Sequence, residues 1–467
     1  MLVLLPFTFI QFFYEPWIEA RTESQAPRSV PDTMQGHVIL TFFDPVANAL
    51  ITKLKRFNYP YVVVLPVLED ALRLSDDGIT AVFGPLDDPE TYRRVRAEHA
   101  ALVATTQSDV VNTSVALTVR GITETTPIVA TAREEASEEV LKLAGCSRVL
   151  SLTDLMAVAL ARLVIGGKTL THVIAQIDDL LVAEIHSRQT SLVGMTLKQA
   201  REKTPMSIVG LWTRGEFAVG EADTIIESSS ILVMAGSLSQ LQSFEDSCQD
   251  AGSQAPAPPV VIIGGGRVGR ATAVALTRRG IDYRIVEPLA ERIRDPEKYI
   301  LGSGADKSAL MAAGIDKAET VIITTRDDET NIYLTIYARL LRPDIQIISR
   351  SSRERNVAPL HRAGSDFVMS YASMGANALF NLLQRSDLVM IAEGLDVFKV
   401  QIPEQLAGKT LAESNIRPRT GCSVIGIDSK NKTMTNPAPD SVLPSDGEIV
   451  LIGTPEAEIA FLKQFAK

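Results

Sequence analysis

The chain repeats itself, and this internal duplication limits the folds it can adopt more than any other feature. The segment "TTQSDVVNTSVALTVRG" (105–121) resembles "TTRDDETNIYLTIYARL" (324–340) at an offset of 219 residues. The segments "LKLAGCSRVLS" (141–151) and "LHRAGSDFVMS" (360–370) match at the same offset. Because separate matches share one offset, the sequence predicts two copies of one unit in tandem.

Within each copy, short β-branched runs alternate with helix-length amphipathic segments. In the second copy the runs are "VVII" (260–263), "YRIVE" (283–287), "YIL" (299–301), "TVIITT" (320–325), "IQIIS" (345–349) and "FVM" (367–369). Continuous apolar runs of this length are typical of parallel strands covered on both faces. The sequence therefore predicts an α/β protein with two tandem Rossmann-like doubly wound parallel sheets. Each is expected to be followed by a crossover helix and a small α+β C-terminal subdomain.

The domain boundaries follow from this pattern and from the stretch "QDAGSQAPAPP", whose small, polar and proline residues indicate a linker. The N-terminal part comprises a segment at 1–22 and a linker at 23–34; the uncharged apolar run at 1–14 is too short to cross a bilayer alone. The first predicted unit has a sheet domain at 35–150, a crossover helix at 151–170 and a subdomain at 171–248. After a linker at 249–258, the second unit has a sheet domain at 259–373, a crossover helix at 374–392 and a subdomain at 393–467.

A glycine-rich turn directly follows the first strand of the second copy. Gly264, Gly266 and Gly269 form G-x-G-x-x-G between a predicted strand and a predicted helix. The first glycine permits the tight turn, the second lets backbone approach a pyrophosphate, and the third lets helix and strand pack closely. Glu287 ends the next strand, 18 residues beyond Gly269, where a ribose hydroxyl acceptor is expected. The pattern predicts a nucleotide site; the alternative is a structural glycine turn without a ligand.

The first copy lacks this loop. Phe42, Phe43 and Asp44 stand where glycines are needed, and Leu65 takes the place of Glu287. Phenylalanine side chains block a close backbone approach, and a carboxylate repels phosphate. The first copy is therefore predicted to keep the fold without the ligand.

Charge and chemistry exclude several classes of protein. The net charge of −10 argues against a nucleic-acid partner, since such binding depends on clustered Lys and Arg. The cysteines are odd in number and far apart, which suits a reducing compartment. The histidines are scattered, and no arrangement of a general acid and base is visible. The chain is therefore predicted not to be an enzyme; a nicotinamide-dependent oxidoreductase would need such a group at the nicotinamide.

One group of residues has the composition of a divalent-ion site. Asp178, Asp179, Glu184 and His186 could gather around a metal, because Glu184 and His186 share one face of a predicted strand. Polar strand faces are also common without a metal, and no metal site is predicted.

Together these residues resemble a known family. "GGGRVGR" (264–270), "LGSGADKSAL" (301–310), "TTRDDETN" (324–331), "HRAG" (361–364) and "LAGKTLAE" (406–413) are similar to RCK (regulator of K+ conductance) domains. Tandem RCK domains behind an apolar start resemble the cytoplasmic gating-ring part of a prokaryotic ligand-gated potassium channel, close to the GsuK type. The resemblance covers essentially the whole chain.

The resemblance implies a regulatory protein at the cytoplasmic face of the cell membrane. A nucleotide, NAD or ADP, would bind the second RCK domain, shift the geometry of its lobes and gate a pore. Ca2+ is a possible further ligand, although the acidic residues that bind it in some relatives are not matched. The chain would form a homotetramer whose RCK domains build a ring of eight. Residues 1–22 would be the cytoplasmic end of the inner pore helix, with the rest of the potassium pore upstream, because the chain has no T-V-G-Y-G filter.

Nine residues carry over from the family as candidate ligand contacts. They are Gly264, Gly266, Arg267, Val268 and Gly269 around the phosphates, Glu287 at the adenosine ribose, Asp306 near the adenine, and Arg326 and Arg350 in the same cleft. The alternative function is a separate NAD-binding regulatory subunit of a Trk-type potassium uptake system. Such subunits commonly keep a nucleotide loop in the first domain, where this chain has "FFDPVA".

Overall fold

The structure, a computed structural model, describes most of the chain. The described residues are 27–164, 171–177, 179–213, 216–228, 230–249, 258–383, 388–392, 395–429 and 432–465. The predicted pore-helix segment 1–22 and most of the linker 249–258 lie outside them. Among the described helices, none combines the length and the apolar character needed to cross a membrane.

Two compact units make up the molecule. The first contains the described residues up to Leu152 together with Gly375–Leu383. The second contains the described residues from Thr153 to Met374 and those from 388 onward. The second unit therefore holds the second sheet domain and both C-terminal subdomains.

The first unit contains a six-stranded parallel sheet. Its strands are β1 (Val38–Leu40), β2 (Tyr61–Leu65), β3 (Ala81–Phe83), β4 (Leu102–Thr105), β5 (Ile128–Thr131) and β6 (Arg148–Leu150), in the order β3-β2-β1-β4-β5-β6. The helices between them are α1 (Pro45–Arg56), α2 (Leu68–Asp76), α3 (Pro89–Arg94), α4 (Asp109–Arg120) and α5 (Ser137–Leu143). The order reverses beside β1, as in a doubly wound sheet.

The crossover helix α6 (Leu152–Arg162) leads to an antiparallel five-stranded sheet. Its strands are β7 (His172–Ile177), β8 (Leu180–His186), β9 (Ser207–Thr213), β10 (Glu216–Ala218) and β11 (Ile231–Gly236), in the order β10-β9-β11-β8-β7. The helices of this subdomain are α7 (Leu197–Lys203) and α8 (Leu238–Gln249).

The second sheet domain repeats the first. Its strands are β12 (Val260–Ile263), β13 (Tyr283–Glu287), β14 (Tyr299–Leu301), β15 (Thr320–Ile323), β16 (Gln346–Ser351) and β17 (Phe367–Ser370), all parallel, in the order β14-β13-β12-β15-β16-β17. The helices are α9 (Arg267–Arg278), α10 (Lys307–Ala312), α11 (Asp328–Leu341) and α12 (Val357–Arg362).

The sheet is buried on both faces, which explains why its strands are apolar without alternation. Ile262 and Ile322 pack into one hydrophobic core, whereas Val261 and Val321 pack into another. Successive residues of a strand point to opposite faces, so both faces must be covered.

The last subdomain follows the helix α13 (Tyr371–Leu383). Its strands are β18 (Leu388–Ala392), β19 (Leu395–Gln401), β20 (Ser423–Ser429), β21 (Lys432–Thr435) and β22 (Glu448–Gly453), in the order β18-β19-β22-β20-β21. The helices are α14 (Leu411–Ser414), α15 (Ile416–Thr420) and α16 (Pro455–Phe465). Two parallel doubly wound sheets, each followed by a small α+β subdomain, confirm the predicted fold class.

The predicted crossover helix 374–392 is wrong at its C-terminal end. The helix ends at Leu383, and Leu388–Ala392 forms a strand antiparallel to Leu395–Gln401. The short apolar run "LVMIA" suits either a buried helix or a buried strand. Pairing with β19 decides between them. The helix predicted at 151–170 is likewise shorter, since α6 ends at Arg162.

Candidate functional site

A cavity of about 340 Å³ lies at the carboxyl ends of the strands of the second sheet. The strand order reverses between β12 and β15, and ligands of doubly wound sheets bind in the crevice at this point. Seven of the nine candidate residues line the cavity, namely Gly264, Gly266, Arg267, Val268, Glu287, Arg326 and Arg350. Gly269 and Asp306 are not among the lining residues.

The backbone conformation and the space around the three loop glycines differ. Gly264 adopts φ of 105°, a conformation that favours glycine. A Cβ on Gly269 would lie 1.9 Å from the carbonyl oxygen of Gly264, so this position requires glycine for packing. A Cβ on Gly266 would meet no atom within 4 Å. The space in front of Gly266 is therefore open.

The N-terminus of α9 points at this open space. Gly266 is its N-cap residue and supplies no side-chain hydrogen bond to the first turn. The first backbone N–H groups of a helix have no intrahelical acceptor, and they carry the positive end of the helix dipole. An uncapped helix N-terminus of this kind can bind a phosphate group.

Glu287 is almost fully buried and supports the glycine loop. Its Oε2 accepts a hydrogen bond from the backbone N of Gly265 at 2.7 Å, and its Oε1 accepts one from the backbone N of Leu289 at 3.1 Å. Arg292 places Nη1 3.7 Å from Oε1. Because each carboxylate oxygen can accept more than one hydrogen bond, Glu287 keeps the capacity to accept from a ribose hydroxyl.

Arg350 lies at the far side of the cavity, at the end of β16. Its Nε is buried and has no hydrogen-bond partner among the described residues. The guanidinium lies over the ring of Tyr371, with the central carbon 5.3 Å from the ring centroid. Burial lowers the pKa of Arg350 from its ordinary value. The group still carries its charge, since an arginine is effectively always protonated.

Asn331 fixes the backbone beneath Arg350. Its Nδ2 donates to the carbonyl oxygen of Arg350 at 2.9 Å. In the first sheet Asn112 donates in the same way to the carbonyl oxygen of Thr131 at 2.8 Å. The shared offset of 219 between the two repeats therefore preserves one hydrogen bond, which joins the helix after the fourth strand to the fifth strand.

Asp306 has a local structural role. It is the N-cap of α10, and its Oδ1 accepts from the backbone N and the Oγ of Ser308, both at 2.9 Å. Its assignment to the adenine stays a prediction.

Several lining residues were missed by the sequence analysis. Arg270, Arg292, Thr324, Tyr371 and Thr153 also face the cavity. Spacing alone could have indicated Arg270, one helical turn after Arg267. Tyr371 and Thr153 begin the segments that follow the two sheet domains, and no sequence motif connects them to the loop.

In the first sheet a side chain occupies the corresponding position. Asp44 is the N-cap of α1 and accepts a hydrogen bond from the backbone N of Ala47 at 2.7 Å. Its other carboxylate oxygen accepts from Oγ1 of Thr106 at 3.3 Å. Burial raises the pKa of Asp44. The helix N-terminus that stays open in the second sheet is thus filled by the protein's own carboxylate.

Two residues of the possible divalent-ion site, Glu184 and His186, make hydrogen bonds within the protein. The carboxylate of Glu184 accepts from Nε1 of Trp212 at 3.0 Å, and Nε2 of His186 lies 2.8 Å from the carbonyl oxygen of Leu163. Burial raises the pKa of Glu184 to about 7 and lowers that of His186 to about 4. Asp178 lies outside the described residues. Within the described ranges no three metal-ligating side chains cluster together.

Known proteins were compared with this chain by sequence and by fold. The TrkA-N domain matches residues 38–152 and 260–371, and the TrkA-C domain matches 397–466. The solved structure of the GsuK channel bound to NAD is 34% identical, with a TM-score of 0.68, and the match covers 99% of this chain and 85% of that one. GsuK bound to ADP is 28% identical, with a TM-score of 0.53, over 82% of this chain and 77% of that one.

Two archaeal proteins match by sequence. Probable potassium channel protein 2 of Methanocaldococcus jannaschii is 27% identical in an alignment of 228 residues that covers 44% of this chain and 66% of that protein. The Trk system potassium uptake protein TrkA homolog of Pyrococcus horikoshii is 29% identical over 208 residues, 41% of this chain and 90% of that protein. The chain thus spans about two thirds of the length of the potassium channel protein.

The fold and the loop define a tandem Rossmann-like protein in which the second sheet domain carries an open glycine-rich loop at a helix N-terminus. With the domain matches and the structural match over nearly the whole chain, the chain belongs to the family built from TrkA-N and TrkA-C domains, the RCK family.

Proposed function

We propose that the chain is the ligand-sensing gating-ring region of a potassium channel, in which NAD or ADP binds the second RCK domain. The carrying observation is the cavity itself. An open helix N-terminus, a backbone free of side chains at Gly266 and the buried acceptor Glu287 face one space at the switch point of the sheet. GsuK, a channel solved with NAD and with ADP, shares this fold.

The cavity also contacts the parts that would transmit binding. Tyr371 is the first residue of α13, and Thr153 lies in the first turn of α6. Both helices connect a sheet domain to its C-terminal subdomain. A ligand that touches these helices can favour one lobe geometry over another, to the extent that its affinity differs between the two. The pore would respond to that difference.

We propose the domain boundaries given above for this protein and the nine candidate residues as its ligand contacts, and the function involves no catalytic step. It places the protein at the cytoplasmic face of the membrane, with a potassium pore attached to its N-terminal side. No described residue supports a Ca2+ role. In an assay of hydride transfer with NADH and candidate carbonyl substrates, we expect no turnover. Sustained turnover would favour a nicotinamide-dependent oxidoreductase instead.

Assembly into a homotetramer, with eight RCK domains in a ring, is the proposed quaternary structure. Each sheet domain exposes an apolar residue at the same repeat position. Leu117 on α4 is 58% exposed, and Ile336 on α11 is 53% exposed. Tyr333 and Leu340 extend the exposed apolar face of α11 by one turn in each direction. Such faces are typical of protein interfaces.

Sedimentation equilibrium of the purified chain tests the assembly. We expect a tetramer, and we expect Leu117→Asp or Ile336→Asp to lower the mass because a carboxylate at a buried interface is unpaired. Val274→Asp, at another exposed apolar position, serves as the matched control. A monomeric wild-type chain would contradict the ring.

Calorimetric titration of the purified chain with NAD and with ADP tests the ligand assignment. We expect binding by the wild-type chain and none by Gly266→Phe, because the phenyl ring would enter the open space where backbone must approach phosphate. Gly266→Ala is the matched control, since a methyl group meets no atom there and leaves most of the cavity. Equal affinities of Gly266→Phe and wild type would mean that the loop is structural.

The alternative, a separate regulatory subunit of a Trk-type uptake system, is favoured by one observation. The match covers 90% of the Pyrococcus horikoshii TrkA homolog. The intact mass of the native protein from its source membranes separates the two functions. A mass well above that of 467 residues, with a filter sequence in the added part, supports the channel. A mass equal to this chain, recovered without membranes, supports the subunit.

A further inference from the structure

The charges around the nucleotide cavity are unequal. Five arginines line it, namely Arg267, Arg270, Arg292, Arg326 and Arg350, against one carboxylate, Glu287. A dinucleotide pyrophosphate needs fewer cations than this set supplies. The excess therefore indicates that the ligand carries more negative charge than a pyrophosphate bridge alone.

The excess positive charge has a definite place in the sheet. Glu287 ends β13, on one side of β12, whereas Arg326 follows β15 and Arg350 lies next to the last residue of β16, on the other side. A ligand that crosses the switch point with its adenosine ribose at Glu287 extends its other end toward Arg326 and Arg350. This other end is the part that distinguishes ADP from NAD.

On this far side Arg350 is the group in need of an anion. Its Nε is buried without a partner among the described residues, and its guanidinium contacts the face of Tyr371. A partly buried cation without a hydrogen-bonded counter-charge is unfavourable, most of all at a buried donor such as this Nε. A phosphate group would supply both the charge and the acceptor, with the geometry that guanidinium groups prefer.

The nearby carboxylate of Asp328 does not fill this need. It accepts hydrogen bonds from the backbone N of Ser352 at 2.7 Å, from the backbone N of Arg353 at 3.2 Å and from Nδ2 of Asn356 at 2.7 Å. Oγ of Ser351 donates to it as well, at 3.2 Å. Asp328 holds the loop after β16 in place and does not line the cavity.

We infer that the cavity selects an adenine nucleotide that ends in a free phosphate, so that ADP binds more tightly than NAD+. The inference rests on the proposed nucleotide function and specifies its ligand class. ADP places its terminal phosphate near Arg326 and Arg350, whereas NAD+ brings a positively charged nicotinamide ring to the same cations. NADH, whose ring is neutral, is expected between the two.

The experiment compares four ligands by calorimetry on the full chain at low and at physiological salt. At low salt we expect ADP to bind at least about tenfold more tightly than NAD+, with the affinity of NADH between them. At physiological salt the ratio of the ADP and NAD+ affinities should be smaller. AMP, which lacks the second phosphate, should lose most of the advantage of ADP.

Two variants locate the preference. Arg350→Gln and, independently, Arg326→Gln are expected to weaken ADP about tenfold while changing NAD+ little, so that the ratio approaches one. Arg326 is exposed, so its replacement leaves the fold intact. Arg355→Gln, an exposed arginine of the same loop outside the cavity, is the matched control and should keep the wild-type ratio.

The possible failures are distinct. Equal affinity of the wild-type chain for ADP and NAD+, or an unchanged ratio in both variants, overturns the inference and leaves the nucleotide function standing. Absence of binding of all four ligands overturns the proposed function and the inference with it.

Discussion

Gly266 and Gly269 belong to one motif, yet the structure predicts that alanine strongly destabilises the protein at Gly269 and changes its stability little at Gly266. At Gly269 the new Cβ would lie 1.9 Å from the carbonyl oxygen of Gly264, where approaches under 3.0 Å are essentially never seen. The strand end and the helix start must therefore separate by more than about 1 Å. That movement also breaks the hydrogen bond from Oγ1 of Thr324 to the same oxygen, 2.9 Å long.

The magnitude follows from these two losses. Overpacking of a well-packed site costs about 1–3 kcal/mol, and a lost hydrogen bond about 0.5–1.5 kcal/mol. Gly269→Ala is therefore expected to lower the free energy of unfolding by about 2–4 kcal/mol. For a unit of the size of the second one, each kcal/mol lowers Tm by roughly 1.5–2 °C.

Gly266→Ala meets none of these obstacles. Its φ of −67° suits any residue, and nothing lies within 4 Å of the added methyl group. Restricting the unfolded chain favours alanine by about 0.4–1 kcal/mol, whereas alanine is a poorer N-cap residue than glycine by a similar amount, so the stability should change by less than about 1 kcal/mol. Thermal melting by circular dichroism, without ligand, measures both variants. A Gly269→Ala protein that melts like the wild type, or a Gly266→Ala protein that melts well below it, would refute this account of the loop.

Two further predictions concern side chains outside the cavity. Because the pKa of Glu184 is raised to about 7 from 4.5, the folded state holds a proton that the unfolded state has lost, and stability should fall as pH rises from 4.5 through 7. Glu184→Gln keeps the acceptor for Trp212. In urea unfolding at pH 5 and pH 8, it should remove up to about 3 kcal/mol of the stability that the wild type loses between these pH values. An unchanged pH dependence would contradict the assignment to Glu184. Asp44→Ala removes the cap of α1, so it should lower the free energy of unfolding by about 1 kcal/mol in the same assay. It should not create nucleotide binding in the first sheet domain. Binding there in calorimetry would show that Asp44 alone excludes the ligand.

The predictable part of the site is local in sequence. Gly264, Gly266 and Gly269 lie within six residues, and Glu287 follows at the end of the next strand. Their roles depend on a strand, a turn and a helix that adjoin each other along the chain. The apolar runs were likewise sufficient to predict both parallel sheets, because a strand buried on both faces is apolar at most of its positions.

The rest of the site depends on contacts between distant segments. Tyr371 and Thr153 face the cavity only because both sheet-to-subdomain connections reach the carboxyl edge of the second sheet. The burial of Arg350 follows from packing against Tyr371, which no local pattern encodes.

By itself, the sequence determined the duplication, the two doubly wound sheets and which copy carries an open phosphate loop, because each depends on residues adjacent along the chain. Only the tertiary structure decided that Leu388–Ala392 is a strand, that Asp44 fills the first helix N-terminus, and that five arginines line one cavity. The physical reason is that pairing, burial and charge balance are properties of neighbours in space, and the sheet creates those neighbours only once it has formed.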